Sequence, residues 1–154
     1  MPGGFEPETM TSRILILIVL LLLLLAGVSC DKSDPDQIAQ SEIREMLYNL
    51  SQDFNRKDMF KIMDRLHQDY LHKGMVSWNF NNQWMEHMGR FALLDIEVLY
   101  IEVQNDLAVV HSINTFTSSI ETLVLTEPET VGDISYFKWH NGQWLIYGNQ
   151  SWIR

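Results

Sequence analysis

The apolar spacing of this chain changes once, at Leu93, and that change restricts the fold more than any other feature. Before it, Ile43, Met46, Leu47, Leu50 and Phe54 recur every three or four residues, the period of a helix with one buried side. After it, Leu94, Ile96, Val98 and Tyr100 alternate with Asp95, Glu97, Leu99 and Ile101, the period of a strand. Helices first and strands afterwards predict an α+β domain, with the helices laid on one face of an antiparallel sheet.

Local signals divide the two halves. Asp34 before Pro35 starts a first helix that runs to about Asn55, because a capping side chain followed by proline suits a first turn. Asp58 caps a second helix, with Phe60, Ile62, Met63 and Leu66 on its buried side. Tyr70 to Trp78 reads as extended or irregular. Asn81 or Asn82 opens a third helix that buries Trp84, Met85, Met88 and Phe91. Gln104-Asn105-Asp106 turns the chain into a long strand from Leu107 to Ile120, and Thr126 to Thr130, with Pro128, interrupts the sheet. Val131–Trp139 and Gln143–Trp152 form a last hairpin around His140-Asn141-Gly142, since Asn-Gly between alternating strands favours a tight turn.

Ahead of the domain lies an unbroken apolar run from Ile14 to Ala26, with no charge between Arg13 and Asp31. It is shorter than the roughly 20 residues that cross a bilayer. A basic residue, a short apolar stretch and small residues before a cut predict an export signal over residues 1–29. Met10 is the better start, because Glu6 and Glu8 give residues 1–9 the wrong charge for such a signal. Cys30 is the only cysteine, so an exported chain has no intramolecular partner for it. Leu25-Ala26-Gly27-Val28-Ser29-Cys30 resembles a bacterial lipobox, which implies a lipidated Cys30, a short linker over residues 30–36 and a folded domain over 37–154. Gly27 departs from the usual leucine, and Gly27-x-Ser29 also fits ordinary signal-peptidase cleavage. Three outcomes stay open: an acylated envelope protein, a soluble exported one, and an uncleaved anchor.

Charge narrows the partners. The whole chain carries −9, of which Glu6, Glu8 and Arg13 account for one negative charge, leaving −8 for the exported part. That acidity argues against nucleic acid, which requires a clustered basic surface. The expected membrane partner is then the bilayer reached through Cys30.

The order of elements and several motifs resemble the nuclear transport factor 2-like superfamily, also called SnoaL-like or ketosteroid-isomerase-like. The likeness covers roughly Ile38 to Ser151. It rests on the first helix, the turn Asn55-Arg56-Lys57-Asp58, the stretch Gln68-Asp69-Tyr70, and the hairpin Tyr136-Phe137-Lys138-Trp139-His140-Asn141-Gly142-Gln143-Trp144. The resemblance implies a cone-shaped fold, with two to three helices packed on a curved, mostly antiparallel sheet around a pocket and an outer face used for homodimers. The isomerase constellation does not carry over. Aligning Asp58 with the family's inter-helix Asp puts Leu50 at the tyrosine position and Gly74 near the base, while Tyr48 and Asp69 fall out of register.

Candidate pocket residues are Tyr70, Trp78, Trp84, His111, Asn114 and Tyr136, because buried indole and phenol groups require polar partners that a ligand can supply. His111, alternating with Val109 and Ile113, is expected to point inward; with His72 it is the candidate proton-transfer group. No histidine pair has metal-ligand spacing, so no metal and no cofactor are expected. Three readings stay open. The first is a membrane-anchored, non-catalytic ligand-binding or partner-docking domain; the second is a SnoaL-like enzyme acting on a small apolar substrate; the third is a periplasmic scaffold subunit.

Overall fold

A computed structural model describes residues 34–152, and the expected signal peptide and Cys30 lie outside them. Helix α1 (Pro35–Asn55) begins where expected: the Asp34 carboxylate accepts the Asp36 N–H at 3.2 Å. Its buried stripe is Ala39, Ile43, Leu47, Leu50 and Phe54. Lys57 then takes a left-handed φ of 62° and turns the chain into α2 (Met59–Met63), which Asp58 caps through the Lys61 N–H. So short a helix buries little. Ile62 is fully enclosed but Phe60 points to solvent, contrary to the expected buried side.

A small hairpin, β1 (Leu71–His72) and β2 (Met75–Val76), precedes α3 (Ser77–Arg90). The helix starts before Asn81 because the Asn79 side chain accepts the Val76 N–H at 3.1 Å, closing the first turn. Phe80, Trp84 and Met88 are its buried side. Met85, one position round from Trp84, is exposed instead of buried. No described helix is long and apolar enough to cross a membrane.

Five strands form the main sheet: β3 (Leu93–Gln104), β4 (Leu107–Thr117), β5 (Thr122–Glu127), β6 (Tyr136–His140) and β7 (Gln143–Ile146). All their pairings are antiparallel. Strand β4 is the spine. One edge carries β3, and the other is shared by β6, at Leu107 to Val109, and β5, at Ser112 to Thr117. The expected strand to Ile120 therefore ends at Thr117, and Thr122–Glu127 is a strand the spacing did not reveal. Residues 131–135, expected as strand, are loop. The Glu127 carboxylate accepts the N–H groups of Val131 and Gly132, and Gly132 has a φ of 78°, so the segment curls before β6 begins. The closing strand is likewise shorter than Gln143–Trp152, ending at Ile146. Gly148 follows with a φ of 75°, where an added Cβ would sit 2.3 Å from the Leu71 carbonyl oxygen.

The sheet's inner face meets α1 and α3. Ala108, Val110, Ser112, Asn114 and Phe116 are its buried row on β4. A register shift between Val98 and Tyr100 lets Leu99 in as an extra residue and exchanges faces. Tyr100 is consequently half exposed and Ile101 buried, the reverse of simple alternation. Phe54, Phe80, Trp84 and Phe116 interlock over the inner face, with ring centroids 5.0–6.3 Å apart. Three polar side chains of α1 attach to β3: Gln40 donates to the Ile101 carbonyl, Arg44 to that of Val98, and Asn55 pairs both the N–H and the C=O of Leu94.

Candidate functional site

Beneath the aromatic layer lies a buried polar cluster from five elements. The loop after α2 supplies Tyr70, β1 supplies His72, α3 supplies Trp84 and His87, β5 ends in Glu127, and the β5–β6 loop supplies Asp133 and Ser135. Asp133 is the centre. Its carboxylate accepts the Trp84 Nε1–H at 2.7 Å, and its carbonyl accepts the Tyr70 hydroxyl at 3.2 Å. Burial pushes its carboxyl above the ordinary aspartate range, while the Trp84 bond and the neighbouring His72 and His87 oppose that rise. Tyr70 is held protonated by the same burial and by Asp133.

Glu127 is the second buried acid, 1 % exposed. Desolvation raises it to about 7, with Asp133 adding to the rise and the Val131 and Gly132 N–H groups and Lys73 opposing it. His72 is held on both ring nitrogens. Nδ1 accepts the Asn149 N–H at 3.3 Å, so Nε2 carries the proton and donates to the Val131 carbonyl at 2.6 Å. Burial lowers its pKa, as it does that of His87, which stacks on Phe116 at 5.0 Å. On the inner face of β4, Ser112 donates to Asn114 Oδ1 at 3.0 Å, whereas the buried Ser135 hydroxyl has no protein partner.

The candidate pocket residues divide sharply. Tyr70, Trp84 and Asn114 are interior. Tyr136 is half-buried and lies 5.7 Å from the His72 ring. Trp78 is 68 % exposed and does not reach the cluster. His111 points outward, not inward: it stacks on Tyr100 with centroids 4.0 Å apart and lies 3.8 Å from both Glu102 and Glu129. Its row on β4 is the one that faces away from the helices. Asp133, Glu127 and His87 were missed. The sequence signal for Asp133 was an acid isolated between Gly132 and Ile134, and His87 stands three residues after Trp84 on the same side of α3. Among the described residues, no group of three or more His, Cys, Asp or Glu side chains is placed to hold a metal.

Concavities lie on the outside. One of about 410 Å³ is bordered by the first turns of α1, Val103, Asn105, Trp139 and Trp144. A second of about 370 Å³ shares Glu42, Trp139 and Trp144 with it and continues to Asp64, Arg65 and Gln143. Arg65 is already committed, to the buried Asp53 carboxylate.

No family model and no curated protein matches the chain. Solved structures do. An NTF2-like protein of unknown function from Pseudomonas putida is 17% identical, with a TM-score of 0.54 over 72% of this chain and 83% of that one. A variant of Rd1NTF2_05 is 15% identical, with a TM-score of 0.55 over 75% and 96%. A protein of unknown function with a cystatin-like fold from Nostoc punctiforme is 13% identical, with a TM-score of 0.52 over 70% and 84%. Identities this low speak to fold alone, and the fold is the NTF2-like α+β cone.

Proposed function

We propose that this chain is an exported protein, held at the membrane through a lipidated Cys30, whose NTF2-like domain binds a ligand or partner without catalysing a reaction. The observation that carries the non-catalytic half is the state of the cone interior. Phe54, Phe80, Trp84 and Phe91 are at most 1 % exposed, and of the polar groups beneath them Asp133 is held by Trp84 and Tyr70 while Glu127 and His72 are held by backbone groups. A base serving a substrate must reach that substrate's proton. Both nitrogens of His72 are spent on backbone groups, and His111 is on the opposite face. On this reading, binding falls to the outside of the domain. The same reading seats a second copy on the outer sheet face, where Leu99, Tyr100 and Val124 are about half exposed.

Metabolic labelling with a palmitate analogue tests the anchor. The wild-type chain takes up label and sediments with membranes, and Cys30→Ala does neither; an unlabelled, freely soluble wild-type protein refutes it. Sedimentation equilibrium of the full chain tests the second copy, and a monomer at about 100 µM refutes it.

A second reading, a SnoaL-like proton-transfer enzyme, draws support from one observation: Glu127 and Asp133 are two buried acids at the base of the cone, one raised to about 7. Under this reading Asp133→Asn abolishes function in cells while leaving the fold intact. Under the binding reading, Asp133→Asn leaves function in proportion to the folded protein remaining.

A further inference from the structure

We infer that the concavity between the start of α1 and the Trp139–Trp144 pair is a binding site for an organic cation of the quaternary ammonium class. This deepens the binding reading above by naming a ligand chemistry, and it rests on that reading.

The wall composition carries the argument. Trp139 and Trp144 sit opposite each other across the β6–β7 turn, with ring centroids 5.5 Å apart and planes at 61°. Trp144 is nearly enclosed, but Trp139 stays 39 % exposed. An indole left open at the rim of a hollow keeps a π face for a guest. Ile38, Ala39 and Val103 line the same hollow and accept methyl groups. Asp36 and Glu42 also line it, and among the described residues no lysine, arginine or histidine does. Neither carboxylate has an ion-pair partner among the described residues. The positive end of α1 is opposed by its own Asp34 cap and by Asp36.

A hollow with apolar walls alone would suit a hydrocarbon, and carboxylates alone would suit a hydrated metal ion. One open indole combined with carboxylates and aliphatic walls suits a cation too large and weakly hydrated to be held by water. The volume of about 410 Å³ admits such a head group with part of a chain attached. The neighbouring hollow lacks Asp36 and the aliphatic Ile38, Ala39 and Val103, which places the cation on the Asp36 side of the tryptophan pair.

The probe is choline, compared with its uncharged isostere 3,3-dimethylbutan-1-ol. Both are titrated by calorimetry into the full chain purified in a maltoside detergent. Choline binds at one saturable site, and the neutral isostere binds at least about tenfold more weakly, the equivalent of about 1.4 kcal/mol. Glu42→Gln weakens choline about tenfold while leaving the denaturation midpoint in place, since that side chain is exposed, and Trp139→Ala weakens it about tenfold with a lowered midpoint, since the indole packs on Trp144. Phosphatidylcholine and phosphatidylglycerol vesicles distinguish the source. Preferential binding to the former assigns the cation to a lipid head group, and indifference assigns it to a free solute. Equal binding of choline and its isostere overturns the proposal, as does choline affinity unmoved by both substitutions, or no saturable binding below about 10 mM. Those results leave the anchored, non-catalytic reading standing. Failure of Cys30 labelling leaves the cation site standing.

Discussion

Replacing Glu127 by glutamine isolates the pH response of the buried acid pair. Glu127 lies at the junction of β5 and the loop that delivers Asp133, and its carboxylate is almost wholly removed from solvent. Burial raises it from the ordinary 4.5 to about 7. A group whose folded pKa is raised gives its full stability below its unfolded pKa and loses it as pH climbs through the folded one. Glu127 therefore supports the fold fully below about pH 4.5 and withdraws that support up to about pH 7. At about 1.4 kcal/mol for each tenfold in acidity, the loss is at most about 3.5 kcal/mol. The histidines act in the opposite sense. Burial lowers His67, His72 and His87, so their contribution is present above about pH 6.5 and falls away on acidification. Wild-type stability is a sum of these terms, and the difference between wild type and Glu127→Gln removes what they share. Glutamine mimics the neutral carboxyl and keeps an acceptor for the Val131 and Gly132 N–H groups. Urea denaturation of the full chain, followed by tryptophan fluorescence between about pH 5 and pH 8, gives both curves. The variant gains on the wild type by about 2–3 kcal/mol across that range. A difference that stays constant to within about 0.5 kcal/mol refutes the reasoning.

Three further outcomes follow from the same packing. Trp84→Phe keeps the aromatic layer but leaves the Asp133 carboxyl without its 2.7 Å donor; calorimetric melting shows a loss of about 2–3 kcal/mol. Gly148→Ala places a methyl against the Leu71 carbonyl at a left-handed backbone position, and denaturant titration shows a loss above about 2 kcal/mol or failure to accumulate folded protein. His111→Ala on the outer sheet face costs less than about 1 kcal/mol by the same titration.

What the sequence disclosed depended on how local the cause was. The start of α1 was legible because Asp34 caps it two residues away, and the last hairpin because Asn141-Gly142 sets its own turn. Strand β5 was hidden because Thr122–Glu127 is held by pairing to β4 rather than by a pattern of its own. The orientation of His111 was undecidable locally. Both rows of β4 carry apolar residues, and only α1 and α3, distant in sequence, determine which row is inside. Tyr70, Trp84 and Asn114 could be nominated from the need of a buried polar group for a partner. Asp133, the partner itself, stands 49 residues beyond Trp84 in a segment whose alternation imitates a strand.

The attachment of α1 to β3 bears on how this protein tolerates crowding. A bordering strand with unspent amides and carbonyls is a template onto which a neighbouring molecule can zip, and growth from such borders leads to fibres. Here Asn55 presents its side-chain amide to Leu94 much as the backbone of an incoming chain would, with Gln40 and Arg44 filling positions further along. Helix α1 thus acts as a built-in terminator of polymer growth, at a place where hydrophobic packing alone gives no such protection.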